Sequence, residues 1–545
     1  MTAVIAALAF VSAPTYSGSI AHLINDKCTP CHYNGGPGPF PLTSYQNVRK
    51  HARQIGDVTR SRYMPPWLPA EQSPAFADDL RLTDAQIETI SAWIDAGMPE
   101  GDQSEPAATS KSPSGWRLGA PDLILRAQKA LKVPAGGSDV FWNFILSPQL
   151  TRGRYVRAVD IRPTNPTIVH HANIIIDRTG SLRMRESSPG AGFPGMDVTV
   201  LRNPLDLDGH FLFWKPGSIP WSEPDGLSWR LDPGNDLILN VHLQPSGKVE
   251  WEQPAVALYF TDKPPTRFPY LLQLEHDGAL DIPSGARDFV VSDSLRLPVD
   301  TEVLAIYPHA HYLGTLLEAW ADLPGGQHVS LIRIPAWDPN FQAVYRYRDP
   351  VRLPAGTVVH MRYHYDNSRA NELNPNDPPK RVRGGNLATD EMAHLWLEIL
   401  PEHGGDQRRL YAETWARHQL EKYPGSYDAD VTLGALALSR LHAPEAVAPL
   451  SEAVRLRPED PIAHNLYGAT LEATGRTSEA IAQFRLAVRR QPDYANAEFN
   501  LAHALERAGD KPGAIAVIRQ ILARTPGDAT AKQYLELLAS NQAAQ

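Results

Sequence analysis

The strongest constraint on this 545-residue chain is a period. Pro424, Pro458, Pro492 and Pro526 stand 34 residues apart, as do Ala412, Ala446, Ala480 and Ala514. Gly434 and Gly468 share the spacing, and so do Gly475 and Gly509. Small residues let helices approach closely. Proline stops a helix because it lacks an N–H and its ring collides with the preceding turn. The period predicts repeated helix pairs through residues 403–545: a leading helix at about 408–423, three full repeats from about 427 to 528, and a closing helix near 529–540.

This pattern resembles the tetratricopeptide repeat. The resemblance implies an α-solenoid with a concave surface for a protein partner; the other role open to it is to cap a neighbouring domain. The chain is too long for one core, so about three or four domains are expected. Its 42% hydrophobic and 21% charged residues fit folded protein rather than disorder. A net charge of −9 argues against nucleic acid as a partner, and no apolar run is long enough for a membrane span.

Cys28 and Cys31 are the only cysteines, which excludes a disulfide framework. Cys28-Thr-Pro-Cys31-His32 has the spacing of covalent haem attachment: two thiols add to the haem vinyl groups, and the following imidazole reaches the iron. A redox or zinc C-x-x-C is the alternative, weakened by the missing second pair and the adjacent histidine. Residues 19–102 resemble a class I cytochrome c domain. Ile20–Ile24 would supply its first helix, and Leu82–Ile94, with Thr83 as N-cap, its last. The resemblance implies one haem c with a thioether as sixth ligand, Met64 in Arg-Tyr-Met-Pro-Pro-Trp rather than Met98. Residues 1–18 read as a signal-like segment without a basic start, or as a first helix of the haem domain. Residues 103–119 read as a linker.

Residues 120–402 are rich in Pro, Gly and Trp, with short β-type runs at Thr167–Ile176, Asp236–Leu243 and Val303–Tyr307, as expected of antiparallel sheets. His170-His171, His242, His309-Ala-His311 and Met392 stand out among them. On a strand, His309 and His311 would share a face. Imidazole suits Cu, Zn, Fe and Ni, and a thioether favours Cu(I).

In this order the motifs resemble the copper type II, ascorbate-dependent monooxygenases, the family of peptidylglycine α-hydroxylating monooxygenase and dopamine β-monooxygenase. Trp214-Lys-Pro-Gly217, Trp337-Asp-Pro-Asn-Phe-Gln342 and Thr389-Asp-Glu-Met392 carry the same texture. The resemblance implies two antiparallel jelly-roll β-sandwich domains, 120–265 and 266–402, with one copper ion each. His170, His171 and His242 would hold the electron-storing copper. His309, His311 and Met392 would hold the oxygen-activating one, and the two sites would face each other across an open cleft. Tyr307 stands where the peptide-hydroxylating members grip a carboxylate with Arg, and His394 and Trp396 replace their Asn and Tyr. This favours a more apolar substrate, and His394 competes with Met392 for a place at the second site.

The expected function is an exported, periplasmic or extracellular, copper-dependent monooxygenase. It would use O₂ on a C–H bond of a small-molecule or peptide substrate, with the haem relaying electrons from an external donor. The alternatives are a non-catalytic copper/haem redox sensor, a copper carrier, or a scaffold docking through its repeats.

Overall fold

The computed structural model describes residues 13–77, 79–102, 116–196, 198, 205–207, 209–402 and 405–540. The start of the signal-like segment (1–12) and most of the linker (103–115) lie outside the described residues. Two compact units form. One comprises residues 1–200 and 208–403; the other comprises 404–545 with 201–207.

In the first unit, a small helical part contains helices Ala21–Lys27, Tyr45–Lys50, Ala52–Arg60 and Asp84–Asp95. Ile20, Ile24, Val48, Ile55, Ile90 and Trp93 share its core. Tyr16, inside the signal-like segment, is already buried there, and its N–H donates to the Pro99 carbonyl. The last helix starts where its sequence dictates: Gln86 N–H donates to Thr83 Oγ1 and Thr83 N–H donates to Gln86 Oε1, a reciprocal cap.

Two antiparallel sheet domains follow. The first has a five-stranded sheet in the order Phe193–Pro194, Val140–Leu146, Asp236–Leu243, Val169–Asp177, Phe213–Trp214. Its four-stranded companion runs Leu123–Arg126, Ala255–Thr261, Arg154–Arg162, Trp229–Leu231. Leu237, Leu239, Val241 and Leu243 point into one core with Val156, Ile161, Val256 and Leu258. By the two-residue alternation of a strand, His242 therefore lies on the opposite face of the five-stranded sheet. The second domain has two four-stranded sheets. One runs Tyr270–Glu275, His394–Pro401, Thr301–His309, Tyr345–Leu353; the other runs Phe289–Arg296, Val358–Tyr365, Gly314–Asp322, His328–Ile334.

The helical part is tied to both sheet domains. Arg117 of the first donates to the Pro30 carbonyl (3.2 Å). The stretch after Met64 lies on the second: Ala70 N–H donates to the Arg333 carbonyl (2.7 Å), Ala77 N–H to the Arg346 carbonyl (2.8 Å), and Phe76 stacks on Tyr347 at 5.2 Å.

Within the second sheet domain Glu398 is buried, with Oε1 unpartnered, and it faces Glu223 and Arg346. Burial and the Glu223 charge push the Glu398 carboxyl up, against the pull of Arg346. A carboxyl raised in the folded state gives stability that is present below the unfolded value, about 4.3, and is lost as pH rises through the folded value. Glu398→Gln is expected to raise the melting temperature more at pH 8 than at pH 5; equal gains at both would contradict this.

In the second unit, helices Arg408–Lys422, Tyr427–Ser439, Ala443–Leu456, Pro461–Ala473, Thr477–Arg490, Ala495–Arg507, Lys511–Arg524 and Ala529–Ser540 follow the 34-residue period. The small residues sit where helices cross: Ala446, Ala480 and Ala514 are fully buried. A Cβ on Gly468 would lie 2.7 Å from the Phe484 ring, itself fully buried. Overpacking of this kind costs about 1–3 kcal/mol, against about 1 kcal/mol gained in helix propensity. Gly468→Ala should lower the urea midpoint of the repeat unit; a raised midpoint would mean that Phe484 can move aside.

Candidate metal and haem sites

The outer face of the five-stranded sheet brings His170, His171 and His242 together. Adjacent residues on a regular strand point to opposite faces. Here Val169 pairs with Leu243 and His171 with His242, so His170 is one extra residue, a bulge, and both imidazoles reach the same face. The Nδ1 atoms converge: His170 to His242 is 3.2 Å and His171 to His170 is 3.2 Å. On its other side His242 Nε2 lies 2.6 Å from the Asp139 carboxylate, and Phe141 stacks on its ring at 4.2 Å. Burial lowers His170 to about 4 and His171 well below the usual histidine value, so both rings are neutral. With His242 Nε2–H donating to Asp139, its Nδ1 presents a lone pair to two more imidazole nitrogens. Such a donor set fits a transition-metal ion held by three imidazoles.

The second group lies in the other sheet domain. His309 ends the Thr301–His309 strand, and His311 lies in the turn beyond it. The expected strand alternation therefore does not place them. Two polar side chains do. Gln342 Oε1 accepts from His309 Nδ1 (2.7 Å) and from the Tyr307 hydroxyl (2.9 Å). The buried Glu391 carboxylate accepts from the backbone N–H of His311 (2.8 Å), Leu313 (2.7 Å) and Met392 (3.1 Å). His311 Nδ1 donates to the Asp390 carbonyl (3.0 Å). Both rings thus keep Nε2 for a ligand role, and they sit 5.3 Å apart. Burial lowers His309 to about 3, lowers His311, and pushes Glu391 up to about 8 against its three N–H donors.

Met392 is buried, with Tyr365 donating to its carbonyl at 2.7 Å. It precedes the strand that His394 begins, so the two lie in different local structure. His394 pairs with His309 across the sheet, 6.3 Å between rings, but its Nε2 is bound to Asp277 at 2.7 Å. Glu275, Asp277 and His394 form a second cluster of potential ligands.

Around the cysteine motif, Cys28 ends the helix Ala21–Lys27, and Cys31 and His32 occupy the following turn. Burial pushes the Cys28 thiol up to about 12 and raises Cys31. A redox-active C-x-x-C needs a lowered thiol, so this environment argues against one. Among the described residues neither cysteine belongs to a cluster of three potential ligands, which argues against zinc. His32 Nδ1 donates to the Phe40 carbonyl (2.9 Å), leaving Nε2 for iron, and a Cβ on Gly38 would strike that ring. Met64 is half-buried in the turn after helix Ala52–Arg60, its N–H donating to the Val58 carbonyl. Cys28, Cys31 and His32 could hold a c-type haem.

Asp139, Gln342, Glu391 and Asp277 carry much of this positioning. Gln342 and Glu391 fall inside stretches that stood out in sequence; Asp139 and Asp277 gave no local signal.

A tetratricopeptide-repeat family profile matches residues 431–495 and 473–529. The C-terminal helices are tetratricopeptide repeats. Such repeats point to a protein partner. Similar solved structures include the crystal structure of MamA, 19% identical, covering 25% of this chain and 80% of that one, TM-score 0.24. The Arabidopsis OM64 TPR domain is 19% identical, covering 21% and 95%, TM-score 0.20. The Sgt2 TPR domain of Aspergillus fumigatus is 23% identical, covering 21% and 78%, TM-score 0.20. No curated protein matches the chain. No helix among the described residues is long and apolar enough to cross a membrane.

Asp139→Asn keeps the shape but weakens the acceptor behind His242. Loss of such a partner typically costs about 10- to 100-fold in metal affinity. Competition with a Cu(I) chelator should show that loss, and unchanged affinity would remove Asp139 from the site.

Proposed function

We propose that this chain is an exported copper-dependent monooxygenase. In this reading its helical part is a class I cytochrome c domain bearing one haem, and its sheet domains are jelly-roll sandwiches holding one copper ion each. The observation that carries it is the convergence of three imidazole nitrogens at His170, His171 and His242. Bound copper supplies one-electron redox change and O₂ activation for hydroxylating a C–H bond, and the haem supplies electrons.

The protein's own residues orient and exclude. The bulge at His170 and the Asp139 carboxylate aim the first set of imidazoles. Gln342 fixes His309, and Glu391 ties the His311 backbone to that of Met392. Tyr307, with its hydroxyl on Gln342 and its ring against Phe213, offers no cation for a substrate carboxylate. That supports an apolar substrate.

Copper-loaded protein, reduced through the haem, is expected to consume O₂ only with a suitable substrate and to yield a product heavier by one oxygen atom in a mass-spectrometric screen. His309→Ala and Met392→Leu should each lower substrate-dependent uptake by about 100-fold. Uptake that survives both changes would overturn the assignment; copper binding and haem redox cycling without any product would favour a sensor or copper carrier.

A further inference from the structure

One short segment of the first sheet domain links the first histidine group to the cysteine motif and, through Tyr307, to the second histidine group. Its near end is the strand Phe213–Trp214, paired with Asn173 and Ala172 beside the histidine pair. The Phe213 ring lies 5.6 Å from His171 and 5.2 Å from Tyr307, and Tyr307 stacks on His309 at 6.0 Å. At the far end, Gly217 lies against Cys31: a Cβ there would be 2.3 Å from the sulfur. The turn between is stiff. Ser218 N–H donates to the Lys215 carbonyl and Lys215 N–H to Ser218 Oγ, both at 2.9 Å. Arg117 clamps it to the cysteine loop, donating to the Ser218 carbonyl at 3.4 Å and the Pro30 carbonyl at 3.2 Å.

We propose that Phe213–Gly217 is the electron conduit from the haem edge at Cys31 to the copper sites, an inference that rests on the copper–haem reading above. Tunnelling falls off exponentially with distance and is faster through bonded, packed atoms than across solvent. Gly217 is four positions on from Phe213, so this stretch of backbone spans at most about 14 Å even if extended. In the first step one electron leaves ferrous haem, which becomes ferric, and one Cu(II) at His170, His171 and His242 becomes Cu(I). An external one-electron donor restores the ferrous haem. In the second step one electron passes from that Cu(I) to Cu(II) at His309 and His311, along Phe213 and Tyr307. No covalent bond forms or breaks in either step.

The test follows haem reoxidation after photochemical reduction of the full-length, haem-containing, Cu(II)-loaded protein without O₂. Phe213→Leu, which removes the ring, and Gly217→Ala, which pushes the turn off Cys31, should each slow reoxidation by about tenfold or more. Phe213→Tyr, which keeps the ring, should retain the wild-type rate. Haem absorption, reduction potential and copper content should be the same in all forms. Wild-type rates in both Phe213→Leu and Gly217→Ala, with both cofactors intact, would overturn the conduit and leave the copper–haem reading standing. A wild-type protein that holds both cofactors yet passes no electron between them would overturn both.

Discussion

Imidazole nitrogens meeting at 3.2 Å on one sheet face are the constraint on which the rest of the first site depends. A neutral imidazole has one donor and one acceptor nitrogen, and buried lone pairs that face each other are costly. Charging the rings would relieve this in water, but burial opposes it: His170 and His171 both stay neutral. A cation among the nitrogens satisfies all three at once. The supporting features serve that convergence. The bulge admits two neighbouring side chains to one face, Phe141 covers the His242 ring, and Asp139 sets which His242 nitrogen carries the proton.

The second group reaches a similar end by other means. Its histidines are not set by strand alternation but by a buried glutamate and an amide. Glu391 gathers three backbone N–H groups from two separate stretches, and so holds the turn carrying His311 against the approach to Met392. Gln342 accepts from both Tyr307 and His309, which fixes the His309 tautomer and couples it to the tyrosine. Phe213 and Tyr307 meet between the two sheet domains, so at that point the space expected to be an open cleft is filled by two rings.

What the sequence revealed divides by the range of the interactions. The helix pairs were legible because a 34-residue period repeats the same local rule, and their observed ends fall within a few residues of the expected ones. The strand Asp236–Leu243 and the cap at Thr83 were legible because each follows a rule confined to a few neighbouring residues. His309 and His311 do come together, 5.3 Å between rings, but not by strand alternation: the strand stops at His309, and Glu391 holds the backbone of His311. Asp139 reaches His242 from 103 positions away, and Asp277 reaches His394 from 117. Partners that distant leave no periodic trace in the chain.

The N-terminal helical part gains its meaning from where it is fastened. Had it hung on its linker, the cysteine motif would describe a tethered carrier that must find its partner by diffusion. Instead Arg117 binds the cysteine loop to the first sheet domain, while Trp67 and Phe76 pack on Tyr345 and Tyr347 of the second. Aromatic packing and backbone hydrogen bonds on two sides resist the rigid-body motion that a redox encounter would need. They also turn Cys31 towards Gly217, so an external reductant has to approach the motif from another side. In the proposed reading, an electron would enter the motif away from Gly217 and leave beside it.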